Sequence, residues 1–123
     1  MAKILIVDDA KMMRINISNM MKQLGHEVVA EADNGYIAVQ MYKKYLPDLV
    51  TMDITMPAEN GIKDGIDAVK SIREEFSQAK IIMITSHGEE DKVIKAIQCG
   101  ASNYLLKPIQ IEKLEEIIKK TLK

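Results

Sequence analysis

The stretch Asp48-Leu49-Val50-Thr51-Met52-Asp53 decides the fold: its apolar and β-branched residues fall on both parities of an extended chain, and a carboxylate ends it. A strand with one face in water alternates polar and apolar residues, so a run apolar on both parities belongs at the buried centre of a parallel sheet. Three other short apolar runs also end in chemically active residues. Ile4 to Val7 leads into Asp8-Asp9, Ile81 to Ile84 into Thr85-Ser86, and Tyr104 to Leu106 into Lys107-Pro108. A parallel sheet brings the carboxyl ends of its strands to one edge, so these residues are expected to converge on one small site.

Amphipathic segments fill the intervals. Met13, Ile17, Met20, Met21 and Leu24 recur at helical spacing from Lys11 to Leu24, and Gly25 stops the helix. Val28 to Glu31 reads as a second strand and Asp33-Asn34-Gly35 as a turn. Ile37, Ala38, Met41 and Tyr45 then mark one face of a helix that ends near Pro47. Ile66, Val69, Ile72, Arg73 and Phe76 outline a third helix, followed by a strand from Lys80 to Thr85. Glu89 to Cys99 is helical with Val93, Ala96 and Ile97 inward and Gly100 as a left-handed cap. Ser102 to Leu106 is the last strand. Ile111, Leu114, Ile117, Ile118 and Leu122 form the stripe of a final helix. Five βα units predict an α/β fold, a (βα)5 doubly wound five-stranded parallel sheet in one domain over residues 1–123.

Composition narrows the function. A hydrophobic content of 47% supports one core, and no apolar run approaches the roughly 20 residues needed to cross a bilayer. The start, Met1-Ala2-Lys3-Ile4, lacks the long apolar core of a secretion signal and reads as a first strand of a cytoplasmic protein. Seventeen Lys and Arg against 18 Asp and Glu leave a net charge of −1, which supplies no basic field to draw the chain to nucleic acid. The single Cys99 sits among Ala96, Ile97 and Gly100 and reads as a packed thiol. Met13, Met20 and Met21 fall on the inward stripe of the first helix and read as core.

Asp8, Asp9 and Asp53 repel one another at one sheet edge unless something neutralises them. An oxygen-only donor set favours a hard cation, Mg²⁺ or Mn²⁺, over zinc, and His26 and His87 lack ligand-pair spacing. A carboxylate in such a site is a nucleophile toward phosphorus, and Asp53 is the candidate. A cation such as Lys107 and a donor such as Thr85 would flank the phosphoryl oxygens. Singly, each residue has an ordinary explanation as turn former, cap or punctuation. Their joint order argues for chemistry.

The segments ILIVDD (with Asp8 and Asp9), DLVTMDITMP (with Asp53), KIIMITS (with Thr85) and GASNYLLKP (with Tyr104 and Lys107) closely resemble the receiver domain of two-component response regulators. The resemblance covers essentially the whole chain and is greatest to the single-domain members that serve chemotaxis. Strand order 2-1-3-4-5 comes with that resemblance and not from periodicity. So do the roles. Asp53 is the phosphoacceptor for a histidine kinase, and Asp9 and Asp53 bind Mg²⁺ directly. Asp8 acts mainly through water, and Thr55 adds its backbone carbonyl. Lys107 pairs with the phosphoryl group, Thr85 moves toward it, and Tyr104 turns inward as the switch. The resemblance implies a protein target on the face built by the fourth helix, last strand and final helix, and only slow self-phosphorylation and self-dephosphorylation. Ser86 and His87 stand where the family tunes phosphoryl lifetime, although His87 by itself reads as a solvated loop residue.

One stretch departs from the family pattern. Met56-Pro57 is separated from Asp64-Gly65 by Ala58 to Lys63, four residues more than usual. Either Gly61 starts the third helix early or the loop beside Asp53 is longer, and a Gly inside a helix costs about 1 kcal/mol relative to Ala, which favours the loop. Three rival functions are weaker. A Mg²⁺-dependent aspartyl phosphatase needs a second Asp where Thr55 stands. A flavodoxin-like cofactor binder needs a phosphate loop where Asp8-Asp9 stands. A receiver fragment of a longer transcriptional regulator is less economical than a single domain, since Lys123 closes the last helix without a linker.

Overall fold

The computed structural model describes residues 1–123. Its elements alternate throughout: β1 (Lys3–Val7), α1 (Lys11–Gln23), β2 (Glu27–Ala32), α2 (Gly35–Tyr45), β3 (Leu49–Asp53), α3 (Gly65–Glu75), β4 (Ile81–Thr85), α4 (Glu90–Gln98), β5 (Asn103–Leu106) and α5 (Ile111–Leu122). All strand pairs are parallel and the sheet order is β2-β1-β3-β4-β5, as the resemblance implied. No helix is long and apolar enough to cross a membrane.

Every residue of β3 and β4 is buried, the reason these strands read as apolar on both parities. Alternate residues feed two cores. Leu5, Val7, Val50, Met52, Ile81 and Met83 pack with residues of α2, α3 and α4, whereas Ile4, Ile6, Leu49, Ile82 and Ile84 pack with Ile17, Met21, Leu114 and Ile118 of α1 and α5. Helices on both faces leave the carboxyl edge of β1, β3 and β4 as the open crevice.

Two helix faces differ from the periodic reading. Ile97 is 42% exposed and Ile94 also faces out, so the inward stripe of α4 is Val93 and Ala96, with Cys99 beyond it packed on the core. In α2, Tyr45 is exposed and Tyr42 is buried instead, its ring 5.0 Å from that of Phe76. Both helices carry more apolar residues than one face can bury, so periodicity alone could not choose the stripe. Gly25 and Gly100 adopt positive φ after α1 and α4, as the cap reading requires.

The long loop is the alternative that forms. Residues 54–64 precede α3, which starts at Gly65 with the Asp64 side chain accepting from the Asp67 N–H at 3.0 Å. Ile54 and Met56 are buried, and the chain then reverses at Asn60 (φ 46°) and Gly61 (φ 84°) between the paired residues Glu59 and Ile62. Consecutive positive φ values at Asn-Gly mark a type I′ turn. Ile62 returns to pack on Gly35, where a side chain would collide with its Cγ2.

Candidate functional site

Asp8 follows β1 and is held on every side but one. Its N–H donates to the Ala32 carbonyl (3.0 Å), its Oδ1 accepts from the Ala10 N–H (2.9 Å), and its carbonyl accepts from the Arg14 guanidinium (2.6 Å). Arg14 is fixed in turn by Glu31 at 3.1 Å. Asp8 Oδ2 is buried with no hydrogen-bond partner, although Lys107 Nζ lies 3.5 Å away at ion-pair range. The same ammonium is 3.5 Å from Asp53 Oδ1. Asp53 ends β3 and is 5% exposed, while Asp9 lies at the solvent edge. Oxygens of Asp8, Asp9 and Asp53 all lie within 4.8 Å of one another.

One ammonium does not balance three carboxylates. Burial above all, and then the charge of Asp8, pushes the Asp53 carboxyl up to about 7 against the attraction of and hydrogen bond from Lys107. A buried oxygen without a donor, within reach of two further carboxylates, fits a small divalent cation that takes oxygen ligands. His26 lies away from this cluster, accepting from the Ala2 N–H at 3.0 Å near the start of β1, and His87 is exposed on the β4–α4 loop.

Thr85 ends β4, and its carbonyl accepts the Lys107 N–H at 2.7 Å, which ties the two strand ends together. Its hydroxyl donates to the Ser86 carbonyl (3.2 Å) and not into the acidic pocket. Tyr104 on β5 is 51% exposed. Thr85 and Tyr104 line one groove of about 410 Å³ with Ser86, Val93, Ile94 and Ile97, so the apolar residues that α4 turns outward face the candidate switch.

Three residues to which the sequence reading gave no part in the site shape it. Arg14 secures the Asp8 backbone. Gly65 lies against strand β3 so closely that a Cβ there would fall on the Asp53 carbonyl oxygen, with its N–H donating to the Ile54 carbonyl at 2.7 Å. Glu89 accepts from the Thr55 hydroxyl and from the Ser86 N–H, both at 2.7 Å. The spacing Ser86-His87-Gly88-Glu89 is a capping-box pattern that could have flagged the second of these bonds. Nothing local signals the first. Thr55 is exposed beside the pocket, two residues past Asp53.

Comparison with known proteins agrees with this geometry. The sequence profile of the response regulator receiver domain matches residues 4–119. The chain is 51% identical over 120 residues to the chemotaxis protein CheY of Bacillus subtilis (strain 168), covering 98% of this chain and 97% of that one. It is 44% identical over 121 residues to the chemotaxis protein CheY of Thermotoga maritima, covering 98% of each. Among solved structures, a chain of the CheX–CheY–BeF3–Mg²⁺ complex from Borrelia burgdorferi superposes with a TM-score of 0.88 at 31% identity, over 96% of this chain and 87% of that chain. An acidic crevice at the carboxyl edge of a 2-1-3-4-5 sheet thus coincides with similarity along nearly the full length, and the chain belongs to the response regulator receiver domain family, CheY-like in sequence.

Proposed function

We propose that residues 1–123 act as one phosphorylation-activated signalling switch, in which Asp53 accepts a phosphoryl group from the phosphohistidine of a histidine kinase. The observation that carries this reading is the convergence of Asp8, Asp9 and Asp53 around Lys107, whose Nζ is 3.5 Å from Asp53 Oδ1. An ionised Asp53 oxygen forms the new O–P bond as the P–N bond breaks, and the departing imidazole keeps the electron pair and takes up a proton. Asp8, Asp9, Asp53 and the Thr55 backbone carbonyl would hold Mg²⁺, with Mn²⁺ as a substitute; when bound, the ion offsets the carboxylate charge and that of the phosphoryl oxygens. Lys107 stays close enough to pair with the phosphoryl group.

The added charge then reorganises the neighbourhood. The Thr85 hydroxyl leaves the Ser86 carbonyl for a phosphoryl oxygen, and Tyr104 moves into the groove that Thr85 vacates. That is a population shift between two packings, biased by charge at one site. The changed face of α4, β5 and α5 meets a protein target, and the names of the relatives favour chemotaxis as the pathway. Any self-phosphorylation or self-dephosphorylation is slow and serves signalling, not turnover of a product. Incubation with Mg²⁺ and acetyl phosphate, followed by intact-mass measurement, is expected to show one phosphoryl adduct on the wild type and none on Asp53→Asn. An undiminished adduct on the variant defeats the proposal.

A further inference from the structure

We infer that Glu89 is a positioning residue of this switch, a clasp that joins the loop after β3 to the loop after β4 and holds Thr85 turned away from Asp53. The inference rests on the phosphoryl chemistry proposed for Asp53. Its basis is one carboxylate with two jobs: Oε2 accepts from the Thr55 hydroxyl and Oε1 from the Ser86 N–H, each at 2.7 Å. Hydrogen bonds to an ionised oxygen at such distances are among the stronger ones a protein makes. Both bonds are made to carboxylate oxygens and favour the ionised form.

The turn from Ser86 into α4 explains only the Ser86 bond. The Thr55 bond serves no cap, since Thr55 and Glu89 stand 34 residues apart and their loops leave different strands. It couples the loop that carries the proposed Thr55 metal ligand to the loop that follows Thr85. Ser86 is gripped at both ends, its N–H by Glu89 and its carbonyl by the Thr85 hydroxyl at 3.2 Å. A Thr85 hydroxyl that turns to Asp53 gives up the carbonyl of Ser86, the same residue whose N–H Glu89 holds. Glu89 also heads α4, whose Val93, Ile94 and Ile97 line the groove shared with Thr85 and Tyr104. Opening the clasp thereby reaches the output face. A contact present in one state and absent in the other sets the resting balance between them.

The test compares Glu89→Ala and Thr55→Val, which break the clasp, with Glu89→Gln and Thr55→Ser, which keep it. Gln retains an acceptor for the Ser86 N–H and gains an amide that the Thr55 hydroxyl accepts. In metal-free protein without phosphodonor, NMR amide exchange at Ser86 is expected to quicken about tenfold in Glu89→Ala and to stay within about threefold of wild type in Glu89→Gln. With Mg²⁺ and acetyl phosphate, the adduct is expected to form about threefold to tenfold faster in Glu89→Ala and Thr55→Val, and each conservative variant is expected to return toward the wild-type rate relative to its disruptive counterpart. Thr55→Val leaves the Glu89 charge in place. Acceleration in Glu89→Ala without acceleration in Thr55→Val therefore assigns the effect to charge and overturns the clasp, as do unchanged rates in both. A wild type that takes no adduct defeats the phosphoryl reading instead, and the Ser86 exchange still judges the clasp by itself.

Discussion

At Asp53, burial and the charge of Asp8 hold the carboxyl at about 7 where an unfolded chain leaves it near the ordinary 3.8. Between those values the native state binds a proton that the unfolded state has lost, so this residue's contribution to stability falls as pH rises from about 4 to about 7. Asp53→Asn removes the ionisation. In metal-free urea unfolding the variant is expected to exceed wild type by about 1–3 kcal/mol at about pH 8 and to match it below about pH 4. Gly65 is constrained by space alone, because any Cβ meets the Asp53 carbonyl oxygen. Gly65→Ala is expected to cost about 1–3 kcal/mol in urea unfolding and to slow adduct formation, since the strand end carrying the proposed nucleophile has to move. The carboxylates were legible in the sequence because each ends an apolar run. The glycine's role was not, because the oxygen it accommodates lies twelve residues earlier in the chain.

At the scale of elements, the β3–α3 loop is seated on the rest of the fold at both of its ends. Ile54 and Met56 anchor its start in the core, Asn60-Gly61 reverses it, and Ile62 closes it against Gly35. Gly61→Ala is expected to cost about 1–2 kcal/mol in thermal or urea unfolding, because φ 84° is strained for a residue with a side chain. Removing Glu59 to Ile62 is expected to lower stability by about 1–2 kcal/mol through loss of the Ile62 contact, while Asp53 still takes its adduct by intact mass. Helix α4 makes a related point. Its apolar spacing is visible in sequence, but Ala96 faces the core, Val93 lies between core and groove, and Ile94 and Ile97 face the groove. Val93→Asp is expected to destabilise by about 2–4 kcal/mol, and Ile97→Asp to stay within about 0.5 kcal/mol of wild type, by the same measurement.

For the whole molecule, the acidic crevice links metal binding to global stability, because a cation held by the native strand ends is lost on unfolding. Mg²⁺ is expected to raise the melting temperature of the wild type at about pH 8, with the gain shrinking below about pH 7 by up to tenfold in affinity per pH unit as Asp53 takes up its proton. Asp53→Asn is expected to lose most of that gain at every pH, measured by thermal unfolding across a Mg²⁺ titration. The sequence by itself determined the five βα units, the buried centre at β3 and β4, and the identity of the residues at each strand end. Those features are local: burial on both faces imprints apolar residues on both parities, and a strand end needs only its own run to be seen. The tertiary structure alone decided that Arg14 holds the Asp8 carbonyl, that Gly65 lies on the Asp53 carbonyl, that Glu89 bridges Thr55 and Ser86, and which apolar stripe of α4 stays outside. Each of these depends on where one loop lies against another once strand register and helix packing are set, and no spacing along the chain encodes a distance between segments that meet only in space.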